Sequence, residues 1–243
     1  MTTDAPDFSL AGKRALITGS TQGIGHAIAR AFAAHGAEIC VHGIEESADV
    51  DFYVRADLGV PGGADALADA VERRWSGVDI LVLNAALQVR AAWDAIADAD
   101  MKRQIEANLT ASYRLIRRFM PGMRDRGWGR VIAIGSIQEI KEHPEMLIYA
   151  ATKAAQTSLV RNLARQLAPR GVTVNVLSPG AIATARNHEA LADPVYRDAI
   201  AAKIPAGRIG DAADCAGAAL FLASPAASYV TGTTIRVDGG MHL

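Results

Sequence analysis

Cysteine is scarce: only Cys40 and Cys215 occur in 243 residues. They have neither the spacing of a metal site nor the count of a disulfide framework, which points to a reducing compartment. An excess of one charge is also missing, because 25 Lys and Arg stand against 26 Asp and Glu. That balance leaves no electrostatic footprint for nucleic acid or an anionic membrane surface. No apolar run approaches the roughly 18 residues of a bilayer-spanning helix. The opening MTTDAPDFSL carries Asp4 and Asp7 and no basic region, so no secretory leader is expected. Repeats, low-complexity blocks and Pro/Ser-rich linkers are absent too. What is abundant is apolar side chain, 50% of the residues, enough to bury a domain-sized core and to exclude a mainly disordered chain. The length allows one α/β domain, so residues 1–243 are read as a single unit. The expectation is a cytoplasmic protein with no metal, nucleic-acid or membrane partner.

Short apolar runs alternate with longer helical patterns, the signature of βαβ units. Strands are expected at Arg14–Thr18, Glu38–His42, Phe52–Ala56, Asp79–Leu83, Arg130–Ile134, Val172–Leu177 and Thr234–Val237. Helices are expected at Ile24–His35, Ala64–Trp75, Ala99–Asp125, Tyr149–Ala168 and Ala212–Ala223. The strands are continuously apolar, as when helices cover both faces of a parallel sheet. The reading is a doubly wound α/β fold with a seven-stranded parallel sheet. Only eight residues, Gly43 to Val50, separate the second and third strands. A parallel crossover normally takes a dozen or more, so a loop or single helical turn is expected there in place of a helix.

The first strand runs into Thr18-Gly19-Ser20-Thr21-Gln22-Gly23-Ile24-Gly25 and then an Ala-rich helix. Glycines at a strand-to-helix turn let a ligand approach the backbone, and the helix N-terminus favours a pyrophosphate. The spacing is G-x-x-x-G-x-G, unlike the common G-x-G-x-x-G. Further on, Tyr149 and Lys153 stand at i and i+4, on one helix face. A nearby ammonium favours the phenolate, so the pair could take a proton from an alcohol or return one to a carbonyl. Ser136 follows the Val131–Ile134 run, at the carboxyl edge where open α/β sheets bind ligands. Asn108, on spacing alone, reads as a solvated helix-surface amide.

Taken in order, Thr18–Gly25, Asn84-Ala85-Ala86, Asn108, Ser136, Tyr149/Lys153 and Pro179-Gly180 resemble the short-chain dehydrogenase/reductase family from about Gly12 to Gly240. The resemblance implies a Rossmann-type fold and hydride transfer between a nicotinamide cofactor, NAD or NADP, and a small secondary alcohol or ketone. It implies Tyr149 as the acid/base and Ser136 as the holder of the substrate oxygen. Lys153 would lower the tyrosine pKa and bind the nicotinamide ribose beside Tyr149, and Asn108 would support a water relay from the lysine. The cofactor site would comprise Gly19, Thr21, Gln22, Gly23, Ile24, Gly25, His42, Asp57, Leu58, Asn84, Ala85, Ala86, Pro179, Gly180, Ile182 and Thr184. Within it, Asp57 matches the aspartate that reads the adenine amine, and Pro179, Gly180, Ile182 and Thr184 match the nicotinamide end. One departure is Asn84-Ala85-Ala86 where the family usually has Asn-Ala-Gly; the extra methyl crowds the backbone near the adenosine ribose. Asn84 could equally be a structural amide. The resemblance also implies a homotetramer that pairs the long helices Ala99–Asp125 and Tyr149–Ala168.

Between Ser136 and Tyr149 lie Gln138, Glu139, Lys141, Glu142, His143 and Glu145. Polar side chains there suit a sugar or polyol better than a steroid or acyl chain, although a charged loop is often only solvated. Gln138, His143 and Asn187 are the candidate substrate residues, and residues 185–205 fall where the family has a substrate lid. Between Gly36 and Val54 there is no Lys or Arg, while Glu45, Glu46, Asp49 and Asp51 are acidic. A 2′-phosphate would meet like charge there, so NAD is expected over NADP; against this, Arg14 and Arg55 could reach in from elsewhere, His42 could donate a hydrogen bond to the cofactor, and the acidic loop could simply point to solvent. The alternative from another class is a non-catalytic dinucleotide-sensing or scaffold protein on the same fold. Keeping Asn108, Ser136, Tyr149 and Lys153 together is what such a protein would not need.

Overall fold

The apolar runs pair into one parallel sheet because their side chains alternate between two cores. In the computed structural model, which describes residues 7–46, 50–187 and 191–243, Leu16, Leu81, Leu83, Val131 and Ala133 face one core. Ala15, Ile17, Ile80, Val82, Ile132 and Ile134 face the other. The strands are β1 (Arg14–Ile17), β2 (Glu38–Gly43), β3 (Tyr53–Arg55), β4 (Ile80–Leu83), β5 (Gly129–Ile134), β6 (Val172–Pro179) and β9 (Thr234–Val237). They form a seven-stranded sheet in the order β3-β2-β1-β4-β5-β6-β9, parallel throughout.

Helices α1 (Gly23–Ala34) and α7 (Ala212–Ala223) cover one face. The other is covered by α2 (Gly63–Arg74), α4 (Ala111–Arg126) and α5 (Leu147–Leu167). Strand order reverses between β1 and β4, so the loops leaving their carboxyl ends diverge and open a crevice, the usual ligand position in such sheets.

Three features differ from the sequence expectation or refine it. The helix expected over Ala99–Asp125 is α3 (Asp98–Ile105) and α4 joined by a π-helical turn, Glu106–Thr110. One extra residue in a turn barely alters the apolar period, so the sequence reads as continuous. Between β2 and β3 no helix occurs among the described residues, as the short gap required. A small parallel pair, β7 (Ile182–Ala183) with β8 (Gly210–Asp211), was unforeseen, whereas α6 (Pro194–Ala201) falls within the weak helical pattern of Ala185–Lys203. Two-residue strands are too short to show a period. Residues 188–190 of the expected lid lie outside the described residues.

Candidate active site

The crevice begins where β1 ends. Thr18 is buried, and its hydroxyl donates to the Val82 carbonyl (3.2 Å) while accepting the Asn84 and Ala85 N–H groups (2.9 and 3.0 Å). The Asn84 amide donates to the carbonyls of Thr18 and Gly19, 2.8 Å each. Asn84 therefore pins the glycine loop to the end of β4, the structural role left open by the sequence. Gly19 and Gly23 have positive φ, +63° and +59°, where a side chain would be strained. A Cβ on Gly25 would overlap the Gly19 carbonyl and the Asn84 amide.

Gln22 caps α1 with its backbone alone; its side chain makes no capping bond, and the first turn holds no acid. By contrast, α7 is capped by Asp211, which accepts from Ala213 and Asp214 N–H. Among the described residues no side chain accepts from the first-turn donors of α1 (Gly23, Ile24 and Gly25). A glycine-lined helix terminus of this kind fits the pyrophosphate of a dinucleotide. Thr21 stands at its rim, donating to Glu45 at 3.1 Å.

His42 does not face the ribose position. Its ring is buried, with Nδ1 accepting the Gly19 N–H (3.0 Å) and Nε2 donating to the Ala56 carbonyl (3.0 Å). Burial pushes its pKa down to about 4, so it is a neutral brace beneath the glycine loop. The expectation that it donates to cofactor is corrected accordingly. Leu58 and Ile182 have core side chains, which leaves only their backbone for a ligand. Asp57 is committed to the Gly59 N–H (2.8 Å) and to an exposed ion pair with Arg103 of α3 (3.0 Å). Ala85 and Ala86 continue from Asn84 at the crevice edge, partly exposed. On the far wall Pro179 ends β6, and Gly180 passes so near Asp238 that a Cβ would collide with it. Thr184 follows, within ordinary contact distance of where a Cβ on Gly23 would lie (3.5 Å). Beside it is a 340 Å³ cavity lined by Ala183, Thr184, Ala185, Leu191 and Ala192.

The four candidate catalytic residues converge past the end of β5. Ser136 opens a short 3-10 turn: its backbone N–H donates to Glu139 (2.9 Å), and its hydroxyl accepts from the Gln138 N–H (3.2 Å). The second Glu139 oxygen accepts the Thr157 hydroxyl of α5 at 2.6 Å, fastening this turn to the helix that carries Tyr149. Tyr149 and Lys153 are both buried, with the ammonium 5.8 Å from the phenol ring centroid. Lys153 Nζ donates to the Ile134 carbonyl (2.7 Å) and to Gln156 Oε1 (3.0 Å). Asn108 is fully buried, unlike the solvated amide its spacing implied. Its amide exchanges bonds with the Leu87 backbone (2.8 and 2.9 Å) and donates to Thr152 Oγ1 (3.0 Å), whose hydroxyl donates to the Tyr149 carbonyl (2.7 Å). The π-helical turn is what carries Asn108 inward, as such turns often do at functional sites.

The substrate candidates fare unevenly. Gln138 keeps a buried amide oxygen with no partner among the described residues. His143 accepts the Glu145 N–H, and Lys141 reaches the Met241 carbonyl (2.6 Å), so both hold their loop in place. Asn187 bonds the Ile182 carbonyl and the Thr184 N–H, bracing the opposite wall. Sequence reasoning missed Thr18, Glu139, Thr152, Ser112 and Gln156. The available signal was a run of polar residues at helical spacing beside Tyr149 and Lys153, because Thr152, Gln156 and Thr157 share the buried face of α5 with that pair. Among the described residues no His, Cys, Asp and Glu group could hold a metal. The Cys40 and Cys215 thiols are buried, which pushes both up to about 12 and leaves them poor nucleophiles.

Residues 19–242 match the family profile described as enoyl-(acyl carrier protein) reductase. The chain is 40% identical over 248 residues to 3beta-hydroxysteroid dehydrogenase 1 of Eggerthella lenta, covering 96% of this chain and 95% of that protein. Among solved structures it is similar to a 3-oxoacyl (acyl-carrier-protein) reductase of Agrobacterium tumefaciens with NADP bound. That likeness has a TM-score of 0.91 and 37% identity and covers 96% and 95% of the two chains. It is also similar to a gluconate 5-dehydrogenase of Burkholderia cenocepacia in complex with NADP and tartrate, with a TM-score of 0.90 and 35% identity over 97% of each chain.

Proposed function

Because the chain belongs to the short-chain dehydrogenase/reductase family, an oxidoreductase that moves a hydride between a nicotinamide cofactor and an alcohol or ketone, we propose that Tyr149 is its proton donor and acceptor. The observation that carries this is the buried Tyr149–Lys153 pair on the first turns of α5, bonded through Lys153 to the last residue of β5. When bound, the nicotinamide supplies or receives the hydride. In the reducing direction the Tyr149 phenol gives its proton to the carbonyl oxygen as negative charge builds there, and the Ser136 hydroxyl holds that oxygen. Lys153 stabilises the phenolate left behind, and in the oxidising direction the phenolate takes the alcohol proton. The cofactor would lie from the Thr21–Gly25 turn to Thr184, with its pyrophosphate on the α1 terminus. Residues 185–205 would close over the substrate.

For the substrate, a sugar acid or polyol is the class to try first. Supporting it are the Gln138 amide oxygen, buried two residues from Ser136 with no partner among the described residues, and the likeness to a gluconate 5-dehydrogenase. A cytoplasmic location, where both nicotinamide cofactors are available, belongs to the same reading and suits two buried, free thiols.

Within this reading the cofactor is NAD. The two solved relatives described above hold NADP, but here Glu45 lies across Gly43, accepting from Thr21 (3.1 Å) and from the Ile44 N–H (3.0 Å). The Arg55 guanidinium, on β3 beside this loop, donates to the Ile44 carbonyl (3.0 Å). A 2′-phosphate would face a carboxylate at the loop rim. The ratio of kcat/KM with the two cofactors and one common substrate should favour NAD by roughly tenfold or more. A ratio favouring NADP would mean that Arg55 leaves the backbone for the phosphate.

The chain would also assemble as a homotetramer. Tyr113 of α4 and Leu147 of α5 are large and about half exposed, on the two helices that relatives of this kind pair. Light scattering at micromolar concentration should give four times 25.6 kDa. A mass of one chain would contradict it.

A further inference from the structure

Lys153 carries its charge in a place where water does not reach, since the residue is 1% exposed. A buried ammonium needs acceptors fixed in direction; otherwise it loses its proton or swings away. One acceptor is the Ile134 carbonyl, which any strand end would offer. Another is a side chain, Gln156, one helical turn further along α5 and itself 2% exposed. The Gln156 amide is held at its other end, where Nε2 donates to Ser112 Oγ of α4 (2.7 Å), and the Ser112 hydroxyl donates to the Asn108 carbonyl (2.9 Å). An unbroken line of side chains therefore runs from Lys153 through Gln156 and Ser112 to Asn108. With its donor end anchored on Ser112, the amide can present only its oxygen to the ammonium.

We propose that Gln156 is a positioning residue for proton transfer, aiming and stabilising the charged Lys153 so that its field falls on Tyr149. The proposal rests on the acid/base reading of Tyr149. Gln156 has no proton to give at neutral pH and touches neither substrate nor cofactor in this arrangement; it acts through the lysine. Its loss removes an acceptor from a buried ammonium, which disfavours the charged lysine and so raises the pH at which Tyr149 becomes phenolate.

Charged groups also sit on the elements packed against α5. Glu139 approaches from the turn after β5, bonded to Ser136 and Thr157. Glu106 belongs to the π-helical turn packed on α5. On α3, Gln104 is the buried residue, while Arg103 turns out to Asp57. Arg130 is the charged residue of β5 and lies toward the opposite end of that strand from Ile134. None of them is altered by a change at Gln156.

The test is a titration of the phenolate by near-ultraviolet absorbance, on full-length protein saturated with NAD, with Tyr149→Phe under the same conditions as the blank. The wild-type difference should show one step below the free-phenol value of about 10. In Gln156→Leu, titrated at NAD concentrations that saturate the variant, that step should move to higher pH. Ser112→Ala, which unfastens the amide without deleting it, should move the step in the same direction by less; it decides the matter if Gln156→Leu does not fold. A step that stays put in the folded variants overturns the role of Gln156 and leaves that of Tyr149 standing. The absence of any wild-type step below the free-phenol range overturns the Tyr149 reading itself, and this proposal with it.

Discussion

Replacing Tyr149 with Phe should lower turnover by roughly 10²–10⁴-fold, the contribution of a positioned acid/base group, with almost no change in the fold. The phenol ring is buried beside Lys153, and a phenylalanine ring fills the same space. What is lost is the transferable proton. The helix remains held at this point, because Thr152 bonds the Tyr149 carbonyl and not its side chain. Cofactor binding should therefore survive, and the defect should appear in kcat with the thermal midpoint unchanged. Turnover near wild type would mean that another group moves the proton.

A second large effect is expected at Gly25→Ala, and it should appear in binding. The new methyl would overlap the Gly19 carbonyl and the Asn84 amide. Those groups are bonded to each other in the wild-type loop (2.8 Å), so the intrusion separates the phosphate turn from β4. Forcing a methyl into a filled site costs about 1–3 kcal/mol, or roughly 5- to 150-fold in affinity if it falls on the bound state. Fluorescence titration with NADH should show a Kd raised within that range. A Kd within twofold of wild type would show that the loop can relax without its bond to Asn84.

Both predictions concern residues that stood out in the sequence, and their visibility has a physical origin. Strands buried on both faces must be apolar throughout, so Ile80–Leu83 and Val131–Ile134 announce themselves without any periodicity argument. The glycine turn stood out through its place between a strand and a helix, whereas the Tyr149/Lys153 spacing alone is common on helix surfaces and gained weight only alongside Ser136 and Asn108. Less visible were the contacts that hold these residues. Asp57 meets Arg103, 46 positions away, only after α3 has packed against the crevice. Asn108 looked like a surface amide because a continuous α-helix would have exposed it, and the extra residue of the π-helical turn carries no sequence mark. The reading of His42 failed on a point that parity could have settled. It stands two residues after Cys40 on β2, hence on the same face, and Cys40 is in the core. Gln156 was legible in the same way, as an amide three positions after Lys153 on the buried side of α5, and was passed over because no motif includes it.

The most direct measurement of the central claim is deuteride transfer. Wild-type protein with NADH dideuterated at C4 and a panel of keto sugar acids, polyol-derived ketones and small ketones should deliver one deuterium, as deuteride, to the carbinol carbon of at least one product, detected by mass spectrometry. The same panel with Tyr149→Phe should give 10²–10⁴-fold less labelled product. Unlabelled carbinol from the wild type, no product from any member of the panel while NADH binds tightly, or equal labelling by both proteins would contradict a Tyr149-centred oxidoreductase.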